Sequence, residues 1–160
     1  MFRLLGFSML VLACATTAAV DTITTRHVHT VVDPDPAEPT QPLDMILVVT
    51  NYCNTTVTRS KDNYNLWEGT YVVDPPDTIA SQHSEKFKYG FEVKAAASKR
   101  INGTVLYTAG AGSIFIDFFA VPNEWGVSIS HSTSLAVETT SADVGPLSVY
   151  NIMVGHGQTC

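Results

Sequence analysis

Any chemistry in this chain would have to come from its five histidines, its carboxylates and its cysteines. His27 and His29 lie two residues apart in "RHVH", on one side of an extended chain, where they could grip a metal ion. No third ligand stands nearby, so the pair reads as part of a solvated tail and no metal site is expected. His83, His131 and His156 are isolated in sequence, which suits surface turns. Asp74 and Asp77 bracket Pro75-Pro76, a setting in which Asp side chains bond local backbone amides. No serine occupies a glycine-flanked elbow, and neither HExxH nor a Gly-rich phosphate loop occurs. The expectation is therefore no catalytic residue and no cofactor. A hydrolase is the third reading, and it requires the fold to bring a histidine and a carboxylate into one cleft.

Aromatic residues offer a different chemistry. In "SIFIDFFAVPNEW", strand alternation puts Ile114, Ile116 and Phe118 on one face and Phe115, Asp117 and Phe119 on the other. Two phenylalanines then flank an acid on a face that ought to be polar. Trp125 follows Pro122 in what reads as a loop. Exposed rings near the end of a β-fold suit sugar stacking or insertion at a membrane interface, because the ring lies against apolar matter while a polar edge stays wet. The competing expectation is that both faces are covered, making Phe115 and Phe119 core.

The leader and the cysteines place this chemistry in a compartment. Arg3, the apolar "LLGFSMLVLA" and the small-residue "ATTAA" form the pattern of a secretory signal peptide over residues 1–19. A membrane anchor is disfavoured, since the apolar part is shorter than the roughly 20 residues a bilayer requires. A lipoprotein acylated at Cys14 is disfavoured by Leu12. Loss of Arg3 with the leader takes the formal net charge from −6 to −7, which argues against nucleic acid as a partner. Cys14 leaves too. Cys53 and Cys160 remain as one even pair, expected to form a disulfide in an oxidising compartment, with two free thiols or an intermolecular link at Cys160 as alternatives. Asn54 and Asn102 head two glycosylation sequons, close to the number that chance alone supplies here.

These residues need elements to position them. Residues 20–42, with "DPDPAEPTQP", read as a Pro-rich, extended and flexible tail. From 43 to 160 the periodicity is that of strands: "LDMILVVTN", "LWEGTYVV", "SEKFKYGFEVK", "TVLYTA", "SIFIDFFAV", "WGVSISH", "LAVE" and "LSVYNIMV". "SEKFKYGFEVK" alternates cleanly, with Phe87, Tyr89, Phe91 and Val93 opposed to Lys86, Lys88, Glu92 and Lys94. Asn102-Gly103 predicts a type I′ hairpin turn. Asp74-Pro75-Pro76-Asp77 predicts a rigid connection that ends a strand. "EVKAAASKR" is the single short helical candidate, and it lacks an apolar stripe. The expected class is all-β, a two-sheet antiparallel β-sandwich of about eight strands.

The order of these features resembles the actinoporin-like and aegerolysin group of small β-sandwich cytolysins and lectins. The likeness rests on a strand ending in "VTN", an aromatic strand leading to "PPDTI", the alternating "FKYGFEV", then "NGTVLY" and "IFIDFFAVPNEW", and covers residues 43–131. It implies a secreted, non-enzymatic protein that binds a membrane lipid or glycan, with cytolytic or effector activity, alone or with a protein partner. Aromatic residues near loop ends carry lipid contact in such proteins, which implies Trp67, Tyr71 and Trp125 as ligand-binding residues here, and the strand alternation adds Phe119 to them. A signal peptide and Pro-rich tail are unusual for aegerolysins, and "DTITTRHVHTVV" alternates where pore formation of the actinoporin type would need an amphipathic helix. Binding is thus expected over pore formation. The alternative is a secreted structural or protein-interaction domain whose aromatics are all core.

Overall fold

The computed structural model describes residues 19–28, 42–67, 69–92, 101–110, 112–121, 124–144, 147–157 and 160. Residues 1–18 of the expected leader, 29–41 of the expected tail and 93–100 of the helical candidate lie outside these. The described residues form eleven strands and no helix: β1 (Val20–Val28), β2 (Pro42–Asn51), β3 (Val57–Trp67), β4 (Thr70–Val73), β5 (Thr78–Ile79), β6 (His83–Glu92), β7 (Ile101–Ala109), β8 (Gly112–Val121), β9 (Glu124–Ser132), β10 (Val137–Val144) and β11 (Leu147–Val154). They make two sheets stacked as a sandwich. One has six strands in the order β1-β9-β8-β7-β3-β5, the other five in the order β10-β11-β2-β6-β4. Every described pairing in the six-stranded sheet is antiparallel. The five-stranded sheet contains one parallel pair, β11 on β2.

The strands beyond the expected eight are β1, β3 and the two-residue β5, and the first two have a physical reason. β1 falls within the segment expected to be a flexible tail. It pairs along its whole length with β9, because the alternation of "DTITTRHV" places Ile23 and Thr25 inward and lets the remaining hydroxyls face out. β3 is disguised by the polar "SKDN", which stands out of the ladder where the β3–β7 register shifts between Arg59 and Tyr64. "LWEGTYVV", expected as one strand, is divided between the sheets: β3 ends at Trp67 and β4 begins at Thr70 in the opposite layer. Gly69 turns that corner with φ of +78°, where a Cβ would lie 2.5 Å from the Tyr89 ring.

Asn102-Gly103 is also a correction, for it lies inside β7 and makes no turn. Gly103 pairs with Phe118 across the ladder, and a Cβ there would meet the Phe118 ring at 2.3 Å. The glycine serves the packing of that ring, and this long-range contact overrides the local turn preference. β7 ends at Ala109 and β8 begins at Gly112.

The core fills the space between the layers. Met45, Leu47 and Val49 of β2, Phe87 and Tyr89 of β6, and Tyr150, Ile152 and Val154 of β11 face Val105 and Tyr107 of β7, Ile114, Ile116 and Phe118 of β8, and Val127 and Ile129 of β9. Phe118 anchors the contact, with its ring centroid 4.9 Å from Tyr89, 6.2 Å from Phe87 and 6.0 Å from Tyr71, all on the opposite sheet. Offset and edge-on rings at such distances gain beyond simple area burial.

The Pro75-Pro76 connection crosses from β4 in one sheet to β5 in the other. Pro75 is buried, the Tyr107 hydroxyl donates to the Pro76 carbonyl at 3.2 Å, and the Arg59 guanidinium pairs with Asp77. At the same end the expected disulfide is formed. Cys53, just after β2, joins Cys160 over a separation of 107 residues, with Cα atoms 5.2 Å apart. Asn51 is fully buried there: its amide nitrogen donates to the carbonyls of Thr55, Ile79 and Ala80, and its Oδ1 accepts from Cys53 N–H. Thus one side chain satisfies the backbone of two converging segments, 53–55 and 79–80.

Candidate functional site

The aromatic residues expected to form one ligand site are separated by the fold. Trp125, expected in a loop, lies on β9 facing the interior, 7% exposed, with Nε1–H donating to Ser148 Oγ at 2.9 Å. Ser148 Oγ in turn donates to Asp143 Oδ1 at 2.6 Å. That chain satisfies the buried indole and spans the two sheets, so Trp125 is a packing residue. Tyr71 is also turned inward, edge-on to Phe87 and Phe118. Burial and the nearby charge of Asp143 hold the neighbouring Tyr150 phenol above its ordinary range, so it stays neutral.

Phe119 belongs to a different surface, the outer face of the six-stranded sheet. Cross-strand register sets out that face in rows. One row runs Arg26, Gly126, Phe119, Asn102 and Trp67; the next runs Thr24, Ser128, Asp117, Thr104 and Asn65; a third runs Thr22, Ser130, Phe115 and Leu106. Trp67 therefore shares a row with Phe119 by register. Phe119 lies against Gly126 and is only 7% exposed, whereas Phe115 is half-buried and flanked by Ser130 and Leu106. Phe115 is thus the more accessible ring of the two, and the expectation that it is core is corrected to a place on this outer face.

Hydroxyls surround these rings in bonded pairs. Thr22 Oγ1 meets Ser130 Oγ at 3.1 Å, Thr24 Oγ1 meets Ser128 Oγ at 3.2 Å, and Ser113 Oγ meets Ser132 Oγ at 3.2 Å. Arg26 and Glu124 pair at 3.1 Å at one end of the face. Each hydroxyl pair links neighbouring strands, fixing side-chain direction while leaving further lone pairs and a rotatable proton for an incoming group. Asp117 is half-buried at the centre, between Phe115 and Phe119 along β8. When ionised, its carboxylate accepts hydrogen bonds only, and with Oδ1 buried from solvent at most its other oxygen is left to meet a ligand hydroxyl. The arrangement combines an apolar ring, a central acceptor and a border of hydroxyls on a broad, shallow surface.

The β1–β9 hydroxyls escaped the sequence reading because β1 was assigned to a tail. The signal was present in the alternation of "DTITT" against "VSIS". Of the sequons, Asn54 is exposed in the loop after Cys53, whereas Asn102 is half-buried within β7 on the hydroxyl-bearing face.

Among the described residues, His83, His131 and His156 sit in separate surroundings and do not form one reaction centre. His131 is buried on β9 with Nδ1 3.1 Å from the Ser132 carbonyl, and His83 Nδ1 lies 2.8 Å from the Ser81 carbonyl. His156 packs against Tyr52 with tilted rings and centroids 4.9 Å apart, its Nδ1 3.3 Å from Glu138 on an exposed end of the sandwich. Among the described residues no group of three or more His, Cys, Asp and Glu is placed to hold a metal. Set against known proteins, the chain matches no family model and no curated protein.

Proposed function

We propose that this protein is a secreted, non-enzymatic binding module whose ligand is a cell-surface glycan, including the sugar headgroup of a glycolipid, held on the outer face of the six-stranded sheet. The observation that carries the reading is the row structure of that face, where Phe115 and Asp117 lie among Thr22, Thr24, Ser128 and Ser130. A sugar ring presents an apolar C–H face and a rim of hydroxyls. The first stacks on Phe115, and the second exchanges hydrogen bonds with Asp117 and the Ser/Thr border. Export is supported by the Cys53–Cys160 bridge and by β1 starting at Val20, directly after the expected cleavage position. The likeness to small β-sandwich lectins and cytolysins points the same way, and membrane damage is no part of the proposal.

The test is retention of the purified, disulfide-bonded chain on a glycan array and on liposomes with and without glycolipid. Binding to a glycan that falls about tenfold in Phe115→Ala, the loss of roughly one stacked ring, and also in Asp117→Asn, supports the reading. Retention on plain phosphatidylcholine liposomes equal to that on glycolipid liposomes, or binding indifferent to both substitutions, overturns it.

A further inference from the structure

The five-stranded sheet carries a surface of another kind. Outward-pointing positions on its two central strands include Ile46 and Val48 of β2 and Leu147, Val149 and Met153 of β11, all partly exposed, with exposed Ala142 of β10 alongside and Asp44, Thr50 and Asn151 as the polar members. Because most inward positions of both strands are also apolar, this pair carries aliphatic residues on both faces. It is also the parallel pair. All-parallel sheets have both faces covered and read as continuous apolar runs, and the parallel pair of this mixed sheet carries such a run in "MILVV". Among the described residues there is no helix to cover it.

We infer that the cover is a second copy of this chain, packed back to back through this face about a two-fold axis parallel to the strands. Charge supports that occupant. Lys86 and Lys88 of β6 lie on one flank of the apolar face, Lys88 braced by Asp44 at 2.6 Å, and exposed Glu138 of β10 lies on the other, steadied by His156. Such an axis between β2 and β11 exchanges the flanks, placing β6 of one copy over β10 of the other. Lys86, in the row of Val48, Asn151 and Thr140, then comes within one row of the opposing Glu138. Size fits as well. The four strands that this axis superposes, about 4.8 Å apart and about eight residues long at about 3.4 Å each, project roughly 520 Å² per copy, so that both copies together reach about the 1,000 Å² a biological interface needs. In this dimer the two hydroxyl-bearing faces point in opposite directions.

Sedimentation equilibrium of the disulfide-bonded chain tests the inference. The wild type is expected to be a dimer. Ile46→Lys combined with Val149→Lys should weaken it at least tenfold with an unchanged far-ultraviolet spectrum. Lys86→Glu should weaken it several-fold, and adding Glu138→Lys should restore it, a rescue that impaired folding does not mimic. Should the apolar double variant fail to fold, this exchange of two exposed charges still decides the matter. A wild type that is monomeric at the highest soluble concentration, a dimer indifferent to the lysines, a charge exchange without rescue, or capture of this face by phosphatidylcholine vesicles in place of a second copy would each overturn it.

Discussion

The sandwich turns two faces outward, and their residues differ as sharply as their strand pairings. The six-stranded sheet is antiparallel and follows the alternation expected of a half-solvated sheet: Ile129 inward, Ser128 and Ser130 outward; Ile23 inward, Thr22 and Thr24 outward. Its departures from that rule, Phe115 and Phe119 beside Asp117, stand out against a polar ground, and that contrast makes them candidates for ligand contact. The five-stranded sheet abandons alternation at its centre, where β2 and β11 run parallel and carry aliphatic residues on both sides. A hydroxyl border with one ring suits a hydrated, hydrogen-bonding ligand, whereas a flat aliphatic field suits another protein surface that is itself dry.

Both faces depend on one core, so the largest effect should strike them together. Phe118→Ala removes the ring that links the sheets and is expected to cost about 3–5 kcal/mol in urea unfolding, lowering glycan retention and dimerisation alike. The disulfide should divide them. It joins the segments that leave β2 and β11, the centre of the aliphatic sheet, so Cys160→Ser should cost about 2–5 kcal/mol and raise hydrogen exchange in β2 and β11 more than in β8 and β9. Ser148→Ala strands the Trp125 N–H between the sheets and should cost about 1–3 kcal/mol by the same unfolding measurement, while leaving the residues of both outer faces untouched.

Smaller changes sharpen the contrast face by face. Thr24→Val should leave stability within about 0.5 kcal/mol and reduce glycan retention only, since it removes one border hydroxyl from an exposed pair. The least effect concerns pH. Arg59 holds the Asp77 carboxyl below its ordinary range, first through the hydrogen bond and then through charge. The resulting stability is present above the unfolded carboxylate value and lost as pH falls through the lower folded one. Arg59→Gln should flatten this acid limb in thermal unfolding, with neither outer face altered.

Much of the fold was legible because burial imposes a period of two on a strand. "SEKFKYGFEVK" and "LSVYNIMV" could be read directly, and Phe87, Tyr89, Tyr150 and Ile152 are buried as that period requires. Reading failed where a strand's pattern was interrupted or its polar side dominated. β3 hid behind its "SKDN" bulge, β1 behind hydroxyls beside a Pro-rich segment, and "LWEGTYVV" gave no sign that Gly69 sends its halves to different sheets. The site was legible only in part. Phe115, Asp117 and Phe119 were seen to share a face, but Trp125 and Tyr71 were placed among surface aromatics although both turn inward, since ring count says nothing about which side of a sheet a ring occupies.

By itself the sequence determined which residues alternate, that Cys53 and Cys160 form an even pair once the expected leader is gone, and that the class is all-β, because these follow from spacing and count. Only the tertiary structure decided that Gly103 makes room for Phe118, that β11 runs parallel to β2, and that Thr22 and Thr24 share a surface with Phe115 and Asp117. Those are contacts between segments up to about a hundred residues apart, and their energies depend on register and on which layer a strand joins. No local window of residues carries that information.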